Sequence, residues 1–386
     1  MQRWIGIVIA LAFGGIAAAD SPPPTAAEKP SAETPAASPG VSPGVIECPA
    51  LPCCDPCCHR PRLYGSVEYI QQWFENQFVP PLVIIAPPNT PVGPVTGTPA
   101  ARVLYGGERT DFGGIDSIRA TAGYWLDSQQ TWALEASGFI TENIGRDLTI
   151  ALDGAPTNPV LLARTNGTFA IASIVGAPGV SRGSVTVSQM AQLWGSEANV
   201  VYTWADRSRW RTELLAGFRY LDLDESLDIG DISQTLTADP TTIAHLDTFD
   251  SRTQWYGGQV GSKLTGSWGP MSLALIGKIG LGGSHLTVER SGQTLATPNV
   301  TVPANTGILV SPINAGRDST DRLAVLSETT IQVGWQWTRR LGTTVGYNVL
   351  YLSSCARVGD QILGVGGVNA TDFWAQGITF GLSYRY

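Results

Sequence analysis

Lysine is nearly absent from this chain of 386 residues: Lys29, Lys263 and Lys278 are the only ones. Charged residues of both signs make up 15% of the sequence, against roughly 25% in ordinary soluble proteins. With a formal net charge of -8, the chain lacks the basic face that a nucleic-acid partner requires, and no nucleic acid is expected. After residue 20 it lacks any run of the ~18 consecutive apolar residues that a membrane helix needs. Histidine occurs 3 times. What is plentiful is glycine, at 44 residues, and tryptophan, at 12. That balance suits many short strands and turns more than helices. Two classes remain, a soluble all-β protein and a membrane β-barrel.

The N-terminal residues indicate the compartment. Arg3 supplies a positive start, Ile5 to Ile16 form an apolar run, and Ala17, Ala18 and Ala19 offer a small-residue cleavage site before Asp20. Residues 1–19 therefore read as a secretory signal peptide. Residues 20–62 read as a periplasmic linker, rich first in Pro, Ala, Ser and Thr and then in Cys. Its stretch "CPALPCCDPCCHRPR" holds Cys48, Cys53, Cys54, Cys57 and Cys58. The CxxC spacing of Cys54 and Cys57, with His59 adjacent, fits a metal site. Zinc sites usually use two separated ligand pairs, however, so one crowded cluster in an oxidising compartment fits a disulfide-linked or partner-linked segment better. The odd cysteine would then bond to Cys355 or to another chain. Neither a metal nor a cofactor is expected.

From residue 63 the pattern changes to period two, the signal of strands. About ten segments reach the length of a tilted membrane strand, near 63–74, 116–126, 131–141, 190–204, 209–221, 252–266, 270–285, 322–337, 342–353 and 373–386. Short turns at 127–130, 205–209, 267–270 and 339–342 alternate with long connections at 75–115, 142–189, 222–251, 286–321 and 354–372. An even strand count with short turns on one side and long loops on the other predicts an all-β fold: a transmembrane antiparallel β-barrel of about ten strands, with twelve as the alternative. It spans 63–386, with both ends on the periplasmic side.

Alternation alone would also fit a soluble sandwich. Three features favour the barrel. Glu68, Arg119, Glu135, Glu197, Asn199, Glu213, Arg219 and Glu328 lie mid-strand on the polar parity, costly against lipid but natural in a lumen. Tyr124, Trp132, Tyr202, Trp204, Trp210, Trp335, Trp337, Tyr384 and Tyr386 flank the short turns or the C-terminus, as a membrane-interface girdle does. The final stretch "FWAQGITFGLSYRY" alternates to its last aromatic residue. Pairing of that strand with the one near 63–74 would leave no free edge.

Several motifs in this frame resemble the seventh β-barrel porin family of planctomycete bacteria. They include "RATAGYWLDSQQTWALEASGF" (119–139), "LAGFRYLDLDESL" (215–227), "WYGGQVG" (255–261), "DRLAVLSETTIQVGW" (321–335) and "VGYNVLYLSSCARVGDQI" (345–362). The resemblance runs from about residue 63 to the end. It implies a bacterial outer-membrane address and supplies neither a solute nor a catalytic residue. Where the family pattern has proline, this chain has Val358.

The expected function is a narrow or gated porin-like channel for small polar solutes. The alternative is a plugged structural barrel that displays its loops, with part of 142–189 folded inside. Ten strands lie nearer the filled end of the size range than the open one. An outer-membrane hydrolase is the remote alternative, with His245 beside Asp247 in a long loop and His285 beside Ser284 as its candidates. The acids Asp222, Asp224, Glu225 and Asp228 suggest a calcium site at a loop base, but the glycine of a calcium loop is missing, and salt bridges are the preferred reading. The partners expected are outer-membrane lipid, the barrel-assembly machinery acting through the C-terminal strand, and a periplasmic or disulfide-linked partner of the Cys-rich segment.

Overall fold

The structure, a computed structural model, describes residues 61–94, 101–158, 160–298, 306–364 and 366–386. The signal peptide and the Cys48–Cys58 segment lie outside the described residues. Strand β1 (Leu63–Phe74) leads into an insertion with β2 (Gln77–Phe78), β3 (Val83–Ala86), β4 (Gly93–Pro94), β5 (Arg102–Tyr105) and β6 (Arg109–Thr110). Next come β7 (Ile115–Trp125) and β8 (Trp132–Thr141), then β9 (Ile144–Leu152), β10 (Leu161–Thr165) and β11 (Ala170–Gly176). Four long strands follow: β12 (Ser181–Asp206), β13 (Trp210–Thr235), β14 (Thr242–Trp268) and β15 (Met271–Thr297). The chain ends with β16 (Gly316–Gln336), β17 (Leu341–Ala356), a single helical turn at Val358–Gln361, and β18 (Ala370–Arg385).

Ten of these strands close a ring, β1-β7-β8-β12-β13-β14-β15-β16-β17-β18, and every pairing in it is antiparallel. β18 zips onto β1 from Tyr64 opposite Arg385 to Phe74 opposite Ala375, so neither strand is left as an edge. No described helix is long and apolar enough to cross a membrane.

Side-chain parity decides the facing. Ile118, Leu134, Val200, Phe218, Val260, Ile331, Val345 and Phe380 are exposed on the outer wall. Tyr124, Trp132, Trp204, Trp210, Trp335, Trp337, Tyr384 and Tyr386 are exposed at the short-turn end. Tyr202 is half-buried there, its ring 4.6 Å from that of Trp132. Trp194 and Tyr256 mark the opposite end of the apolar belt. Trp194 and Trp204 share one face of β12, and their spacing matches the ~9–11 residues a tilted strand needs to cross a bilayer.

The structure corrects the long loops. β12 to β15 run for 26 or 27 residues each, well past the belt, so much of 142–189, 222–251 and 286–321 is strand rather than loop. The reason is that apolar alternation continues there, with Val185, Val187, Leu227, Ile229 and Phe249 all facing inward. They pack on a second sheet, β4-β11-β10-β3-β5, built from the 75–115 and 153–180 segments. Beyond the membrane the protein is therefore a two-layer β-structure, with the extended barrel wall as one layer and the inserted sheet as the other. The 354–372 connection also turns inward. Its helical turn buries Val358 and Ile362 in the same core. A Cβ on Gly359 would lie 2.2 Å from the Phe78 carbonyl oxygen, so the close approach needs glycine.

Candidate functional site: the barrel interior

The eight lumen residues read from parity all point into the ring, where six of them form one network and Glu135 and Glu213 pair separately. Arg119 Nη2 donates to Glu328 at 2.8 Å, and Arg119 Nη1 lies 3.8 Å from Glu68. Arg219 bridges Glu328 and Glu197, the latter at 3.7 Å. Lys278 also pairs with Glu197. Gln259 Nε2 donates to Glu197 at 2.9 Å and to Asn199 Oδ1 at 2.7 Å. Glu135 accepts from the Tyr64 hydroxyl at 2.9 Å, and Glu213 from Arg211 Nε at 2.8 Å. Gln332 and Asn348 donate to Glu68 and Glu328. Opposite strands thus meet across the interior, and a cavity of about 110 Å³ is left among them.

Lys263, Lys278 and Gln259 were missed by the sequence reading, whereas Arg211 and Gln332 lie on the polar parity read as interior. The signal was present, because two of the chain's three lysines sit mid-strand on the inward parity of β14 and β15.

Above the network lies an apolar layer. Phe74, Ile115, Phe139, Leu193, Leu221, Trp255, Leu326, Leu350 and Phe373 come one each from every ring strand except β15. β15 contributes Gly280 instead, where a Cβ would meet the Trp255 ring at 2.7 Å. The indole is fixed by Nε1 donating to Ala324 O at 3.2 Å. Cys355 lies in this layer as a fully buried thiol with no disulfide partner among the described residues.

A third polar group ties the inserted sheet to the wall. Arg164 of β10 is fully buried, with Nη1 donating to Asp231 at 2.8 Å and Nη2 to Asp247 at 2.7 Å. Asp247 also accepts the backbone N–H groups of Ile308, Leu309 and Val310. His245 lies on strand β14, not in a loop, and its partner is Asp231 at 3.0 Å, the residue directly opposite it in the β13–β14 register. His285 faces outward against Asp321 at 2.6 Å, while Ser284 on the opposite parity donates to Ser354 O. The nucleophile–base pairings considered for hydrolysis are absent at both histidines.

The acidic run is also strand, so parity splits it. Glu225 points inward and pairs with Arg357 at 2.8 Å, whereas Asp222, Asp224 and Asp228 point outward. Asp222 pairs with Arg252 at 2.7 Å. Four carboxylates divided between two faces cannot converge on one calcium ion. On the outer surface beyond the membrane, burial together with Asp228, Glu289 and Asp224 raises the Asp250 carboxyl from 3.8 to about 6. The folded state then holds this proton more tightly than the unfolded chain. Its contribution favours folding most below pH ~4 and is lost as pH climbs through about 6. Amide protection factors, taken relative to the intrinsic exchange rate at each pH, should be higher in the outer halves of β13 to β15 at pH 5 than at pH 7.5, and Asp250→Asn should flatten that difference.

The family model described as "Putative beta barrel porin-7" matches residues 64–364. The chain belongs to this family. It is a porin-like outer-membrane β-barrel, and the match covers most of the described ring. The chain is also similar to three solved structures at low identity. The outer membrane protease OmpT from Escherichia coli aligns over 84% of this chain and 97% of that one, at 9% identity and a TM-score of 0.44. A deltaS2 mutant of the TodX monoaromatic hydrocarbon channel aligns over 84% and 90%, at 7% identity and a TM-score of 0.27. The Ralstonia pickettii toluene transporter TbuX aligns over 84% and 90%, at 9% identity and a TM-score of 0.23. No curated protein matches the sequence. The interior of this porin-7 barrel is filled at three successive levels: ion pairs, an apolar layer and an inserted sheet.

Proposed function

We propose that the barrel stands closed to solutes and anchors the two-layer β-structure that it raises above the outer membrane. The observation that carries this reading is the apolar layer drawn from nine ring strands, stacked on the ion-paired network. A hydrated solute would have to break several buried ion pairs and then cross a dry layer, and each step carries a desolvation cost of kcal/mol size. The partners in this reading are lipid along the aromatic girdle and the assembly machinery acting on β18.

A second reading is favoured by one observation. The inserted sheet is a separate layer held by the Arg164 ion pairs, which suits a gated channel for small polar solutes that opens when the sheet releases. Proteoliposome swelling separates the two. Vesicles containing the inserted barrel should swell in small sugars and amino acids no faster than protein-free vesicles. Swelling that rises with protein density would overturn the closed reading.

A further inference from the structure

At the periplasmic end, beneath the charged network, the interior widens into a vestibule of about 420 Å³. Its wall carries five cationic side chains, Arg207, Arg209, Arg211, Lys263 and Arg385. Two carboxylates, Asp206 and Glu213, face them. In a chain of net charge -8 this local excess is not a reflection of composition.

The cations are also unevenly used. Arg211 is fixed, with Nε on Glu213 at 2.8 Å, Nη2 on Gln130 O at 3.1 Å and Thr203 Oγ1 at 3.0 Å, and its guanidinium 4.7 Å from the centre of the Trp125 ring. Glu213 is committed to that contact, so Lys263 Nζ is left 3.8 Å away and its side chain is 35% exposed. Arg207 and Arg209 sit in the turn between β12 and β13, which is closed by the Arg207 N–H donating to Trp210 O at 2.8 Å. Among the described residues, the guanidinium groups of Arg207, Arg209 and Arg385 have no carboxylate or hydrogen-bond acceptor as partner. Unpaired guanidiniums beside a held one, lining a pocket walled by Trp125 and Trp210, are donors without a protein acceptor among the described residues.

We propose that this vestibule is a binding site for a phosphate group on the periplasmic side. A phosphate supplies several acceptor oxygens and more than one negative charge, which matches planar donors lining one pocket better than a single halide would. The group can come from a free phosphate or pyrophosphate in the periplasm, or from the headgroup of an inner-leaflet phospholipid at the rim. The site stands on the cavity and its cations alone, so it holds whether or not the lumen conducts.

The full chain, folded in zwitterionic detergent at low salt, would be titrated with inorganic phosphate and with pyrophosphate by calorimetry. Saturable binding is expected, weakening at least tenfold in Arg207→Gln/Arg209→Gln and further with Lys263→Gln. The exposed turn pair Arg339→Gln/Arg340→Gln, which lies outside the vestibule, should bind as the wild type does. The source is read by repeating the titration in nanodiscs. Loss of phosphate binding in phosphatidylglycerol discs but not in phosphatidylcholine discs identifies the lipid headgroup as occupant, and equal binding in both identifies a free solute. Absence of saturable binding to phosphate, pyrophosphate and phosphatidylglycerol alike would overturn the proposal. So would an equal loss in the Arg339/Arg340 variant, since that reads as unspecific surface charge.

Discussion

Arg164→Met is expected to release the inserted sheet from the barrel wall. Arg164 is fully buried and pairs with two fully buried carboxylates, Asp231 and Asp247; among the described residues the only further ionisable base at either is His245, at Asp231. Methionine fills much of the volume of the arginine stem but leaves both acids without their guanidinium partner. Removing one partner of a buried ion pair costs about 3–5 kcal/mol, because the remaining charge stays desolvated. At ~1.4 kcal/mol per decade, amide protection in β3, β10 and β11 should fall by roughly 10²- to 4 × 10³-fold by hydrogen exchange. Protection in β16 to β18 should stay near wild type, because those strands are held by the ring. Unchanged protection in β10 would show that apolar packing on Leu227, Ile229 and Phe249 holds the sheet without the arginine.

Glu328→Gln is expected to destabilise the barrel itself. Glu328 accepts from Arg119 at 2.8 Å, from Arg219, and from Asn348 Nδ2 at 2.7 Å, with its side chain 4% exposed. The amide keeps the shape and removes the charge. Arg119 is then left with Glu68 at 3.8 Å, and Arg219 with Glu197 at 3.7 Å. A loss of about 3–5 kcal/mol is again the scale, read as a lower guanidinium midpoint and a lower temperature of the folded-to-unfolded band shift on gels. Glu75→Gln serves as the contrast. Its pairing with Arg109 is 3.7 Å long, with the Arg109 side chain 65% and the Glu75 side chain 25% exposed, and a solvent-accessible pair contributes about 0–1 kcal/mol. Equal effects from the two substitutions would contradict the weight given to burial.

The ring was legible because its rule is local. Each crossing strand needs only period-two alternation, a turn and an aromatic end, and residues such as Val345, Tyr347 and Val349 state their facing by position. The same parity exposed Glu197, Arg219 and Glu328 as inward groups, but not that they would meet, since partners such as Arg119 and Glu328 are 209 residues apart. The region beyond the membrane was misread for a related reason. Strands from 222 to 251 keep their alternation, but their polar parity faces outward water, as in Asp224 and Asp250, so they resemble loop. The inserted sheet was the hardest part. Its strands β3 and β10 are 4 and 5 residues long and buried on both faces, so Val83, Leu161 and Ala163 show no period at all. Arg164, buried among them, gave no sign that it crosses to another layer.

The central claim is that ion pairs and an apolar layer close the lumen, and single-channel recording in a planar bilayer tests it most directly. The wild-type chain from Asp20 onward, refolded and shown separately to be inserted, should give a silent bilayer across the voltage range. Discrete conductance steps from the wild type, changing in size or ion selectivity on Glu197→Ala or Arg219→Ala, would contradict the account and establish an open pore through the network.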